Sequence, residues 1–144
     1  MTIKELVYSL SGDASTALDG YSIIQGTKQY WESVELELPD KLVVIEPPKT
    51  WPLNYFLNCQ TPITLTVYVG WRIAINDDMQ MQEVRNYLFD DMLADVQLFM
   101  AQVDENPSYF VTENSNAELY DPTQGESRNN YAYVKFDLKI KFNG

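Results

Sequence analysis

Strict alternation of apolar and polar residues predicts two long strands. In residues 63–75 every odd-numbered position is apolar, and in residues 131–142 the even-numbered positions are. A period of two is typical of a strand with one buried face. The first strand would be roughly 40 Å long at about 3.3 Å per residue, which favours a bend or bulge at Gly70. The other face of the second strand is mostly basic, with Lys135, Asp137, Lys139 and Lys141.

Helical spacing of apolar residues predicts two helices. Residues 2–10 form a short helix that begins after the N-cap Thr2 and ends at Ser11-Gly12-Asp13. Residues 78–103 form the main helix, with Asp77 as its N-cap and Asn106-Pro107 beyond its end. Its apolar stripe is typical of a helix packed on a sheet and comprises Val84, Leu88, Met92, Val96, Phe99 and Val103, widened by Leu93 and Met100.

The remaining segments predict shorter strands and loops. Residues 13–30 are interpreted as a loop with a possible strand at 21–25, and residues 34–38 and 41–45 as a hairpin. A proline-dense connection at 47–52 follows the hairpin and is expected to run extended over the surface of the domain. Further short strands are predicted at 109–112 and 117–120. Together these elements predict a single α+β domain over residues 1–144, a mostly antiparallel sheet with the long helix on its apolar face.

Composition is that of one globular domain. The chain has 144 residues, 45% of them apolar, and this length is enough to bury a core without cross-links. The single cysteine, Cys59, cannot form an internal disulfide and is interpreted as a small buried residue. No segment approaches the ~18 apolar residues of a membrane span. The N-terminal residues do not resemble a signal peptide, so the cytoplasm is the expected compartment before any assembly.

Charge is unevenly distributed along the chain. The net charge of −11 argues against a general nucleic-acid binder, which needs a positive surface. Residues 77–126 contain twelve acidic residues and one basic residue, whereas Arg128, Lys135, Lys139 and Lys141 follow them. Such polarity could orient protomers head to tail, and the alternative is a solvated surface that maintains solubility.

No residue constellation for a chemical reaction is present. The chain lacks histidine, which excludes Ser-His-Asp and Cys-His arrangements, and its six glycines are too scattered for a phosphate-binding loop. Asp91 and Asp95, with Asp90 beside them, share a helix face, but the strands offer no inward-facing partner for a metal, so a solvated acidic face is favoured. Tyr131 and Tyr133 share a strand face with Lys135, a hint of base or sugar stacking that competes with a role at an interface or in the core. We therefore expect a protein that is not an enzyme and needs no cofactor or metal.

The order of elements resembles the tail-terminator and tail-completion proteins of tailed bacteriophages. The matching segments are TIKELVYSL, ITLTVYVGWRIAIND, MQMQEVRNYLFDDMLADVQLFM and NNYAYVKFDLKIKF. The resemblance covers most of the chain but not residues 42–62. It implies a homo-oligomeric ring, commonly of six protomers, that caps the head-proximal end of the tail tube and meets tube and neck proteins, while DNA passes through its lumen.

On this resemblance we expect Asp90, Asp91 and Asp95 to face the lumen, where acidic side chains would let DNA slide. We expect the loop 113–130 to contact a neighbouring subunit through Glu113, Glu118, Asp121, Glu126 and Arg128. Replacement of the three aspartates by Asn should then impair DNA passage but not ring formation. Another neck or tail-tube protein is one alternative, and an acidic binding module that mimics DNA is another.

Overall fold

The computed structural model describes residues 2–26, 40–50, 62–72, 89–120 and 131–142. These residues form two helices and six strands. In chain order they are α1 (Ile3–Ala17), β1 (Ser22–Gln25), β2 (Lys41–Glu46), β3 (Ile63–Arg72), α2 (Phe89–Glu105), β4 (Tyr109–Asn114), β5 (Glu118–Tyr120) and β6 (Tyr131–Phe142). The predicted α+β class, with a mostly antiparallel sheet and helices on its apolar face, is confirmed.

The six strands form one sheet in the order β1-β2-β3-β6-β4, with β5 also paired to β6. β1 runs parallel to β2, and every other pair is antiparallel. β3 pairs with β6 along its whole length, from Ile63 opposite Ile140 to Arg72 opposite Tyr131. β4 and β5 lie one after the other along the remaining side of β6, so that this strand pairs with three others.

Both helices cover the same face of the sheet. α1 lies over β1 and β2, α2 lies over β3, β4 and β6, and the two helices contact each other. The core between helices and sheet includes Leu6, Leu10, Val67, Phe99 and Phe136, all less than 5% exposed. Met92, Val96, Phe99 and Val103 of the predicted helical stripe are buried there, and Leu93 and Met100 pack against them. This arrangement removes a continuous apolar surface from water, the main contribution to folding.

α1 is longer than its sequence predicts. It begins after Thr2 with a capping box, in which Thr2 and Glu5 exchange side-chain to backbone hydrogen bonds of 3.1 Å. However, it continues past Gly12 to Ala17, so the predicted end at residues 11–13 was wrong, as was the loop assignment of residues 13–17. The reason is burial: Asp13 and Ala14 extend the stripe begun by Leu6 and Leu10, and packing outweighs the low helix propensity of one glycine.

The strand predictions are largely confirmed where residues are described. β6 has the predicted bounds, and β1, β4 and β5 lie within two residues of theirs. Gly70 carries no bulge, because its pairing with Leu42 and Tyr133 continues the register on both sides. The irregularity lies instead in β4, between Val111 and Glu113.

β2 pairs with β1 and β3. Its proposed hairpin partner, residues 34–38, falls outside the described residues, as do Cys59, Asp77 and the segment 73–88.

No helix in the described part of the chain is both long and apolar enough to cross a membrane.

Candidate functional site

The outward face of β6, opposite the helices, carries a row of lysines. Lys135, Lys139 and Lys141 project there, and we call them the lysine face. Lys139 pairs with Glu113 of β4 at 3.1 Å, an exposed ion pair of small energetic value. Among the described residues, Lys135 and Lys141 form no ion pair, so their charges remain available for a partner.

Asp137 lies between these lysines and is held in place by its neighbours. Its carboxylate accepts a 2.7 Å hydrogen bond from the Thr66 hydroxyl. Its backbone N–H donates to the Ser115 hydroxyl at 2.8 Å, in the segment between β4 and β5. Thr66 also pairs with Glu46, so Glu46, Thr66 and Asp137 form one row across three strands.

A cleft of about 280 Å³ opens over this row. Its lining is almost entirely polar and comprises Glu46, Pro47, Lys49, Thr50, Thr64, Thr66, Lys135 and Asp137. Glu46 is only 9% exposed and accepts a hydrogen bond from Tyr68. Burial and the nearby Glu46 charge raise the pKa of Tyr68 to about 12. Ligand cavities are usually apolar with a few polar groups, so this charged cleft is better suited to a protein surface or a solvated groove.

The tyrosines of this face stack on each other. The Tyr133 ring lies against Tyr120, with centroids 4.5 Å apart and planes 13° apart, and is tilted against Tyr68 at 6.0 Å. Because Tyr133 is engaged in these contacts, the sheet already uses the ring that the sequence suggested for base or sugar stacking. The side chain of Tyr131 lies outside the described residues.

The acidic residues of α2 have two different environments. Asp90 and Asp91 are exposed at the beginning of the helix. Asp95 is half-buried and accepts a 2.6 Å hydrogen bond from the Tyr21 hydroxyl, which in turn accepts one from the Trp71 indole. Lys41 lies 4.5 Å from the centroid of the Trp71 ring. Asp95 therefore ties α2 to the start of β1 and to β3, a structural contact that no sequence pattern indicates.

The solvent-facing side of α2 has acidic ends and an uncharged middle. Asp90 and Asp91 lie at one end, and Asp104 and Glu105 at the other. Between them the exposed residues are Ala94, Gln97, Leu98 and Ala101, and Leu98 is 56% exposed. We call this the acidic helix stripe. Leu98 could have been noticed in the sequence, since it falls outside the apolar stripe that faces the core.

The residues expected to form an inter-subunit loop are separated by the fold. Glu113 belongs to β4 and Glu118 to β5, where it accepts a 2.6 Å hydrogen bond from the Tyr120 hydroxyl. Residues 113–120 therefore do not form the expected loop, because both glutamates lie in strands that pair with β6. Their contact with a neighbouring ring or protomer stays a prediction. Asp121, Glu126 and Arg128 lie outside the described residues.

The described residues bring together no group of three or more His, Cys, Asp or Glu side chains able to hold a metal ion. Comparison with known proteins gives no further guidance, since neither a protein-family model nor a curated protein matches the sequence. The surfaces of the molecule therefore provide the basis for inferring its function.

Proposed function

We propose that this protein is a structural component of a bacteriophage tail, a terminator or completion protein that forms a homo-oligomeric ring at the head-proximal end of the tail tube. In this role it ends tube growth and joins the tube to neck proteins, and DNA passes through the ring without specific binding. The proposal combines the order of elements in the sequence with the surfaces described above.

The observation that carries the proposal is the unlike character of the two sides of the molecule. α2 has five carboxylates and no basic residue, and its outward side is acidic. The opposite side is mixed in charge and has no net charge among these residues, since four lysines, at 49, 135, 139 and 141, lie among Glu46, Glu113, Glu118 and Asp137. Unlike surfaces on opposite sides favour head-to-tail association, and head-to-tail contacts produce rings when the rotation between subunits closes.

The edges of the sheet offer additional contact surface. Within the described residues, β1 pairs only with β2, and β4 and β5 pair only with β6. Phe110, Leu119 and Tyr120 on the second edge are between 36% and 48% exposed. Exposed strand edges with large apolar side chains are favourable sites for association with another chain.

The proposal is tested by native mass spectrometry across a concentration series, with negative-stain images of the same samples. Rings of about six subunits around a hole wide enough for duplex DNA (roughly 20 Å) would support it. A strict monomer at every concentration, and also in the presence of tail tubes, would contradict it.

The acidic helix stripe also supports a second candidate, a binding module that mimics DNA. Asp90, Asp91, Asp104 and Glu105 are exposed on one helix and resemble a row of phosphates in charge. Such a module would be a stable monomer that binds a basic nucleic-acid enzyme and is displaced from it by high salt. The same mass measurements therefore distinguish the two candidates.

A further inference from the structure

We propose that the acidic helix stripe of one copy docks along the lysine face of the next copy. The inference rests on the proposed ring, and it names the two surfaces that form each subunit contact. The partner is thus a second copy of this chain.

Charged residues follow a matching order along the two surfaces. The stripe has carboxylates at both ends, Asp90 with Asp91 and Asp104 with Glu105, and no charge in its middle. β6 has lysines at the corresponding places, with Lys135 and Lys141 at its ends, and Glu118 of β5 lies across from Lys135 without forming an ion pair with it. Between them, Lys139 is paired with Glu113 and Asp137 is bonded to Thr66.

The charged ends of the two surfaces are separated by similar distances. Asp90 and Asp104 are fourteen positions apart on a helix, about 21 Å at 1.5 Å per residue. Lys135 and Lys141 are six positions apart on a strand, about 20 Å at 3.3 Å per residue. A helix aligned with β6 therefore brings a carboxylate to each lysine whose charge is not paired among the described residues.

The side chains in the middle of the two surfaces are compatible with close packing. The stripe places the exposed Leu98 there between the small side chains of Ala94 and Ala101, and the two alanines allow the helix to approach the sheet on either side of the leucine. Gln97 supplies amide donors, and Asp137 has spare acceptor sites beyond the single bond from Thr66. In the assembled ring each sheet would have its own helices on one face and the neighbour's α2 on the other, a common layered arrangement.

The contact is heterologous, because the two surfaces belong to opposite sides of the same chain, and this property gives a direct test. The sheet variant is Lys135→Glu/Lys141→Glu, and the helix variant is Asp90→Lys/Asp104→Lys. The sheet variant alone places like charges opposite each other, and the helix variant alone cancels the net charge at each end of the stripe, so self-association of either should weaken by roughly tenfold or more. An equimolar mixture restores opposite charges at both kinds of contact and should recover assembly, as should a chain that carries all four substitutions.

Sedimentation velocity at low and high salt measures association, and circular dichroism confirms that each variant is folded. Lys4→Glu reverses the charge of an exposed lysine on α1, away from both surfaces, and should assemble like the wild type. It is the charge-matched control for the single variant Lys141→Glu, which should weaken association. If the wild type forms rings and the sheet variant does so equally well, this contact is wrong while the ring proposal stands. If both folded variants fail alone and also fail when mixed, the pairing of these two surfaces is wrong. A wild type that stays monomeric in all samples, including those with tail tubes, overturns the ring and the contact together.

Discussion

The Tyr21 hydroxyl donates a 2.6 Å hydrogen bond to the Asp95 carboxylate, joining two residues that are 74 positions apart in the chain. The same hydroxyl accepts from the Trp71 indole, so one side chain links α2, β3 and the segment before β1. Burial and the hydrogen bond to Asp95 raise the pKa of Tyr21, which keeps the hydroxyl protonated and able to donate.

Replacement of Tyr21 by Phe should destabilise the fold. It leaves the Trp71 indole without its acceptor and Asp95 without this donor, and each such loss in a buried or half-buried site costs about 1–3 kcal/mol. The free energy of unfolding is measured in urea at one fixed protein concentration, because association would add to apparent stability. Tyr8→Phe is the control, since Tyr8 is 55% exposed. Equal urea midpoints for the two variants would contradict the structural role of Tyr21.

The two glycines around the end of α1 should respond to alanine in opposite directions. A methyl group at Gly12, inside the helix, would meet no atom within 4 Å, so Gly12→Ala should stabilise by roughly 0.5–1 kcal/mol. Gly20 has a φ of +80° in the turn after the helix, where a side chain is strained, so Gly20→Ala should destabilise by about 1 kcal/mol. Thermal unfolding followed by circular dichroism checks both signs. A destabilising Gly12→Ala would mean that the helix does not continue through this residue.

Some features of the fold follow from local sequence patterns, and others depend on residues that are distant in the chain. The period-two pattern of β6 and the helical stripe of α2 depend on one buried face, so the pattern alone locates them. The end of α1 depends on what packs against Asp13 and Ala14, and local glycine and serine signals pointed to an earlier end. The carboxylates of Asp95 and Asp137 accept hydrogen bonds from residues more than 70 positions away, which no local pattern reveals. For the same reason, the sequence identified the acidic residues of α2 but did not show that Asp95 is hydrogen-bonded within the fold.

Tyr68 should make stability depend on alkaline pH. Its pKa is raised from 10.0 to about 12 in the folded protein, by burial first and then by the nearby Glu46. The neutral tyrosine therefore contributes its full stabilisation below pH 10. As pH rises from 10 to about 12 the unfolded chain ionises first, and up to roughly 1.4 kcal/mol is lost per pH unit.

Unfolding free energies of the wild type and Tyr68→Phe between pH 9 and 12 test this expectation. The variant should be less stable at pH 9, because Glu46 loses a hydrogen bond, but its stability should fall less steeply above pH 10. Tyr21 and Tyr109, whose pKa values are also raised by burial, remain in both proteins and cancel in the comparison. Parallel pH profiles would contradict a raised pKa for Tyr68.

The acidic residues at the beginning of α2 can distinguish a lumen from a subunit contact. A triple replacement of Asp90, Asp91 and Asp95 is a poor test, because Asp95 is bonded to Tyr21 and its loss would perturb the fold. Asp90→Asn/Asp91→Asn changes only exposed side chains. If these residues contact the lysine face of a neighbour, ring formation should weaken by up to about fivefold for each ion pair lost, and added salt should reduce the difference. If they line the lumen instead, rings should form normally while DNA passage is impaired.

Asp19→Asn, in the exposed turn after α1, is the control and should change neither property. Sedimentation velocity at two salt concentrations, together with infectivity of reconstituted particles, separates the two roles, and a variant unchanged in both would exclude these aspartates from either surface.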